Sequence, residues 1–364
     1  MTLGAQRPPV PDPLERADLR ARLHKALSGF LAEQAAALDA ITEELQPMAE
    51  ALGAFLLDGG KRLRPAFCYW GWRGAGGADT DAIVSAAGAL ELLHACALIH
   101  DDVMDVSDTR RGQPAVHRRF AILHRRQGWS GNPDAFGSSA AILLGDLCLI
   151  WADAMVNRAG LPAEALVRAA PVYDEMRVEL MAGQFLDLLE QVRGGGSIDR
   201  ALRVARYKTA KYTVERPLHF GATLAAAPVG ILAAWTAYGL PLGEAFQLRD
   251  DVLGVYGDPA TTGKPAGDDL REGKRTALLA AALEAASPAQ AALLREHVGD
   301  PRLDEDGVAA IREVISDTGA LMRIESMIAD RTAQALSALE AADIPGEAGD
   351  ALAELAASAT DRRG

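Results

Sequence analysis

Aromatic side chains are scarce in this sequence, 5% of its 364 residues, and no stretch alternates apolar and polar residues in the two-residue period of a strand. Both absences count against a β-rich fold. Cysteine is nearly missing: Cys68, Cys96 and Cys148 are odd in number and have no CxxC spacing, which excludes a disulfide framework or a zinc–thiolate site. A reducing, cytoplasmic compartment is the expectation. Positive charge is also short, since 37 Lys and Arg face 50 Asp and Glu for a net charge of −13, so nucleic acid is not an expected partner. The N-terminus has no apolar run behind a basic start, and residues 1–13 read as a flexible tail ahead of one domain spanning 14–364. An uncharged stretch long enough to span a bilayer runs from Phe220 to Gly243. It contains Pro228, Pro241 and several glycines and runs on into Arg249, Asp250 and Asp251, so a broken pair of buried helices is expected there and no transmembrane segment.

What the chain does have is alanine, leucine, glutamate and arginine at helical spacing. Leu23, Leu27, Phe30 and Leu31 return in steps of three and four, and similar patterns cover Ala82 to Val103, Ser138 to Val156, Ala163 to Val192 and most of Ala277 to Leu355. Breaks fall at residues 74–77, 128–132, 194–196 and 258–267, each rich in turn-forming residues and none resembling an interdomain linker. The reading is an all-α protein, one large helical bundle.

Acidic clusters end two of these apolar patterns. Asp101, Asp102 and Asp105 close the stretch LIHDDVMD, with Asp101 and Asp105 one turn apart on one helix face. A helix C-terminus disfavours negative charge, so the cluster asks for a cation, and oxygen-only ligands favour Mg²⁺ over Zn²⁺. One such motif alone is more often a solvated helix end. A second pair, Asp250 and Asp251 in FQLRDD, changes the balance: two carboxylate pairs on facing helices could hold Mg²⁺ ions against a diphosphate. Basic segments match them: Lys61, Arg62 and Arg64 in GGKRLRP, Arg110 and Arg111, Lys208, Lys264, and Lys274 with Arg275. No GxxxxGK[ST] or GxGxxG loop supports a nucleotide site.

GGKRLRP, ELLHACALIHDDVMD with DTRRGQP, the Lys208–Thr209 pair, FQLRDD and GKPAGDDLREGKRT occur in the order found in the trans-isoprenyl diphosphate synthases, the polyprenyl synthetase family, which the chain resembles from about Leu52 to Thr276. The resemblance implies an isoprenoid-synthase bundle with a central cavity, a homodimer, and roughly three Mg²⁺ ions per active site. It implies a linear all-trans prenyl diphosphate made from isopentenyl diphosphate and an allylic diphosphate (dimethylallyl, geranyl or farnesyl). By position, Lys61, Arg64, His94 and Arg111 would bind isopentenyl diphosphate, while Arg110, Lys208, Thr209, Gln247, Lys264 and Lys274 would serve the allylic diphosphate. Asp101, Asp105, Asp250 and Asp251 would hold metal, with Asp102 assisting. His94 lies seven residues before Asp101, on nearly the same helix face.

Where the second acidic motif commonly ends on a further carboxylate, this chain has Gly254 and Val255, and the next acid is Asp258. Asp250 and Asp251 are therefore expected to carry the second clamp. A class I terpene cyclase would need a different second metal motif and no second diphosphate site, and a noncatalytic partner subunit would usually have lost one acidic cluster. Relatives that stop at fifteen carbons often carry an aromatic residue four or five positions before the first Asp. Here Ala97 and Cys96 stand there, so a deeper cavity is expected, with Leu93 or Leu90 as its floor and geranylgeranyl diphosphate as the product; farnesyl or longer products are the alternatives.

Overall fold

The computed structural model describes residues 14–193, 196–258, 267–342, 344 and 346–360. The expected tail at 1–13 and Lys264 lie outside the described residues, as do parts of the two later breaks. The chain winds through α1 (Leu19–Asp39), α2 (Gln46–Leu57), α3 (Leu63–Gly74) and α4 (Asp81–Met104), then a short hairpin, β1 (Thr109–Arg110) and β2 (Gln113–Pro114). It continues with α5 (Val116–Gln127), α6 (Pro133–Asn157), α7 (Ala163–Arg193) and α8 (Ile198–Val204), a π-helical segment over Ala205–Glu215, α9 (Arg216–Leu224) and α10 (Val229–Tyr256). The remainder is α11 (Asp268–Arg271), α12 (Ala277–Ala285), α13 (Pro288–His297), α14 (Glu305–Asp317), α15 (Ala320–Ala341) and α16 (Glu347–Thr360). The all-α bundle expected from the apolar period is what forms.

Local chemistry sets the boundaries. α6 begins where Asn132 accepts the backbone N–H groups of Asp134 and Ala135 and Pro133 takes the first helical position. Ser287 and Gln290 form a reciprocal capping box at the start of α13. The uncharged stretch after Phe220 breaks at Pro228, dividing α9 from α10, while Pro241 lies inside α10. Among the described residues, the helices in which length and apolarity suffice to cross a membrane are instead α4 and α6, whose most apolar windows are 72% and 44% buried in the bundle.

Two apolar cores share two helices, α10 and α15. The larger collects α1, α3, α4, α6, α9 and α16, with Trp235, Tyr238 and Leu242 of α10 and Ala335 and Leu339 of α15; the smaller joins α8, α12 to α14 and Ile324 and Ile328 of α15 to Leu248, Val252 and Val255 further along α10. α10 therefore runs through both cores and carries Gln247, Asp250 and Asp251 at the level where they meet. The π-helical segment lies between α7 and α10 because glycine lets it approach both. A Cβ at Gly183 would stand 2.3 Å from the Lys208 nitrogen, and one at Gly243 would stand 2.6 Å from the Ala210 Cα. Wider π turns of this kind are rare and cluster at functional sites.

Candidate active site

α4 presents two faces at its C-terminal end. Asp101 points towards the π segment and α7: its Oδ1 accepts from Lys208 Nζ at 3.0 Å and from Gln184 Nε2 at 2.9 Å, and Lys208 also donates to Asp187 Oδ2 at 2.7 Å. Burial disfavours the Asp101 carboxylate, but Lys208 and Lys274 outweigh it and bring its pKa down to about 2. Asp105, one turn on, caps the helix, and burial together with the Asp101 charge pushes it up to about 6. Asp102 faces elsewhere. It is 1% exposed and accepts from Arg110 Nε at 3.0 Å.

The hairpin after α4 divides its two arginines. Arg111 and Gly112 both have positive φ, 52° and 72°, the combination a tight two-residue hairpin turn requires. Arg110 is thereby directed to Asp102 and lies 4.0 Å from Asp101, while Arg111 reaches the end of α2, donating to Phe55 O at 3.2 Å and Asp58 O at 3.4 Å. His94 and Arg64 converge on the π segment: His94 Nδ1 lies 3.1 Å from the Tyr212 hydroxyl, Arg64 stacks 4.4 Å from the Tyr212 ring centre, and Arg64 Nη2 donates to Thr213 Oγ1 at 2.9 Å. Burial and the charges of Arg64, Arg111, Arg110 and Arg62 hold the His94 pKa well below its ordinary value, so the ring is neutral at pH 7. A Cβ at Gly60 would stand 3.5 Å from Arg111 Nη2, which brings the Lys61 loop beside Arg111.

On α10, Asp251 is buried, accepts from Gln247 Nε2 at 2.7 Å and from the Ala277 N–H at the start of α12 at 3.3 Å, and is pushed up to about 8 by burial, Asp269 and Asp250. Asp250 is exposed. Counted from Asp250, the closing position of a DDxxD motif is Gly254. The space a side chain would need there is already filled, for a Cβ at Gly254 would stand 1.8 Å from Asp269 Oδ2. Asp269 thus delivers a carboxylate from α11 where α10 lacks one. Lys274 links the acids of the two helices, with Nζ 2.6 Å from Glu272, 3.3 Å from Asp269 and 3.8 Å from Asp105. Ser107 Oγ donates to Glu272 Oε1 at 2.6 Å, joining the loop after α4 to the segment before α12. Asp258 is exposed beyond the end of α10, and Thr209 is half-buried on the π segment.

Among the described residues, no group of three or more His, Cys, Asp or Glu side chains could by itself hold a metal ion. The donor set nevertheless fits a hard cation completed by other oxygen ligands, because both Asp105 carboxylate oxygens are buried without a hydrogen-bond partner. The chain-length candidates divide by face. His94, Ala97, Leu98 and Asp101 form a partly exposed line on α4, whereas Cys96 is buried, its Sγ 3.8 Å from His100 Nδ1, and Leu90 and Leu93 are fully buried. Sequence reading missed Gln184, Asp187, Tyr212, Thr213 and Asp269. Asp187 carried a signal, an acid at a buried position of an apolar period in α7; Tyr212 and Asp269 carried none that periodicity reveals.

A family model described as polyprenyl synthetase matches residues 46–315. Geranylfarnesyl diphosphate synthase of Aeropyrum pernix is 34% identical over 292 residues, covering 78% of this chain and 85% of that protein. A (2E,6E)-farnesyl diphosphate synthase of Mycobacterium tuberculosis is 32% identical over 308 residues, 84% of this chain and 80% of that one. Among solved structures, geranylgeranyl pyrophosphate synthase of Corynebacterium glutamicum, complexed with isoprenyl diphosphate and magnesium, superposes with a TM-score of 0.92 at 43% identity, covering 95% of this chain and 99% of that one.

Proposed function

Because the chain belongs to the polyprenyl synthetase family and is a trans-prenyltransferase, we propose that it condenses isopentenyl diphosphate with allylic diphosphates to give geranylgeranyl diphosphate, acting as a homodimer with roughly three Mg²⁺ ions in each active site. The observation that carries the reading is the junction of α4, α10 and the π segment, where the Asp101 and Asp251 clusters share one lysine-bridged site beside a separate group of cations. Asp101, Asp105, Asp250 and Asp251 hold the metal ions, Asp269 is added to the second clamp, and Asp102 acts through Arg110. Residues 14–364 form the one catalytic domain.

Bound Mg²⁺ would neutralise the allylic diphosphate and make it a better leaving group. Lys208, Lys274 and Arg110 hold that diphosphate and stabilise the charge it gains as the C–O bond breaks, with Thr209, Gln247 and Lys264 in support. Lys61, Arg64, His94 and Arg111 hold isopentenyl diphosphate so that its double bond faces the allylic cation. A new C–C bond forms, and the proton lost from the adduct goes to the departed diphosphate. Apolar walls keep water from the cation. Ala97, small and on the partly exposed line of α4, leaves depth for a twenty-carbon chain above Leu93 and Leu90. The homodimer reading is supported by the exposed apolar residues Ile142, Leu143 and Ile150 of α6.

Asp101→Asn keeps size and removes charge. The expected result is a turnover lower by about 10² or more at saturating Mg²⁺; near-normal turnover would contradict the first clamp.

A further inference from the structure

The loop that carries Lys61 turns through left-handed backbone. Gly59 and Gly60 have φ of 81° and 102°, and Arg62 takes φ of 50°, a left-handed conformation that a side chain other than glycine adopts at a cost. Lys61 itself is exposed. The Arg62 side chain holds the loop, turning inward where Lys61 is exposed: Nη2 donates to Leu56 O at 2.5 Å and Nη1 to Glu91 Oε2 at 2.5 Å. Arg62 is 8% exposed and Glu91 4%. Glu91 belongs to α4, one turn before His94 and on the helix that carries Asp101. The pair therefore ties the loop both to the last turn of α2 and to the helix bearing His94.

A buried ion pair contributes little net stability, because desolvation offsets most of its attraction. This one holds geometry. The carbonyl end of α2 receives two guanidinium groups, Arg62 on Leu56 and Arg111 on Phe55 and Asp58, so the same helix end sets the positions of Arg111 and of the loop between Gly59 and Arg64. A Cβ at Gly60 would stand 3.5 Å from Arg111 Nη2 and 3.7 Å from Arg62 Nη1, so the loop backbone packs directly against both.

We infer that Arg62 and Glu91 are positioning residues for isopentenyl diphosphate: their buried pair holds Lys61, Arg64 and Arg111 at the spacing one diphosphate requires. The inference rests on the assignment of those three cations to the isopentenyl subsite. The test varies each substrate in turn, with thermal unfolding recorded alongside, for Glu91→Gln, for the double variant Arg62→Met with Glu91→Gln, and for Lys61→Ala. Both Glu91 variants are expected to raise KM for isopentenyl diphosphate about tenfold, the effect of losing one charge-assisted hydrogen bond. KM for the allylic substrate and kcat should stay within about twofold. The double variant leaves no buried charge unpaired, so it folds even where the single variant fails to, and a purely structural pair would return to wild-type kinetics in it. Wild-type KM for isopentenyl diphosphate in the double variant, or an equal rise for both substrates, overturns the inference while a raised isopentenyl KM in Lys61→Ala leaves the subsite standing. If Lys61→Ala leaves that KM unchanged, the subsite assignment falls and this inference with it.

Discussion

A side chain at position 254 would collide with a carboxylate, its Cβ 1.8 Å from Asp269 Oδ2. Asp250 and Asp251 are legible as a pair from the sequence, but Gly254 reads there only as a missing ligand. The carboxylate that fills the space beside it, Asp269, sits fifteen residues downstream on another helix, and only the path of the chain brings the two together. Gly254→Asp restores the common motif and displaces Asp269, which also holds Lys274. The expected result is a higher Mg²⁺ requirement, read from the Mg²⁺ dependence of turnover and from calorimetric binding of Mg²⁺ with a nonhydrolysable diphosphate analogue. A lower requirement would mean that Asp269 takes no part in the clamp. The residue scale also explains why neighbouring arginines divide: in the sequence Arg110 and Arg111 are one basic pair, and the positive φ of Arg111 and Gly112 is what sends them to different partners.

At the scale of elements, the apolar period made α4 and α7 legible nearly to their ends and α6 all but its first five residues, because one buried face per helix is what the period encodes. The apolar period runs on from Leu14 to Leu57, but the chain there forms two α-helices parted at residues 40–45, and the π-helical segment was not legible at all. Its wider turns depend on close approach at Gly183 and Gly243, a property of three packed elements. α4 supplies the clearest prediction. Leu93 lies about 12 Å below Asp101 along the helix, and Ala97 lies on the partly exposed line between them. Ala97→Phe should shorten the main product from twenty carbons towards fifteen, as chromatography of the dephosphorylated products would record; an unchanged length means another wall measures the chain. Cys96→Phe differs, because Cys96 is fully buried beside His100, and its overpacking should cost about 1–3 kcal/mol of stability.

The whole molecule is two apolar cores joined by α10 and α15, and the site lies where they meet along α10. One bundle could be read from the absence of linkers; two cores on shared helices could not, since helical period says which face is buried and not against what. α6 leaves Ile142, Leu143 and Ile150 exposed although its partner face is packed on α4 and α5. For the proposed homodimer, Leu143→Asp with Ile150→Asp should halve the mass measured by sedimentation equilibrium; an unchanged mass would contradict a subunit contact on this face. The central claim, that both acidic clusters and the separate cation group act on two diphosphates in one site, meets its most direct test in a single incubation. Purified protein is given dimethylallyl diphosphate, labelled isopentenyl diphosphate and Mg²⁺, and the products are separated by chain length after dephosphorylation. The account predicts a linear all-trans product, chiefly geranylgeraniol, formed only when Mg²⁺ is present. A cyclic hydrocarbon, or no incorporation of isopentenyl diphosphate, would contradict it.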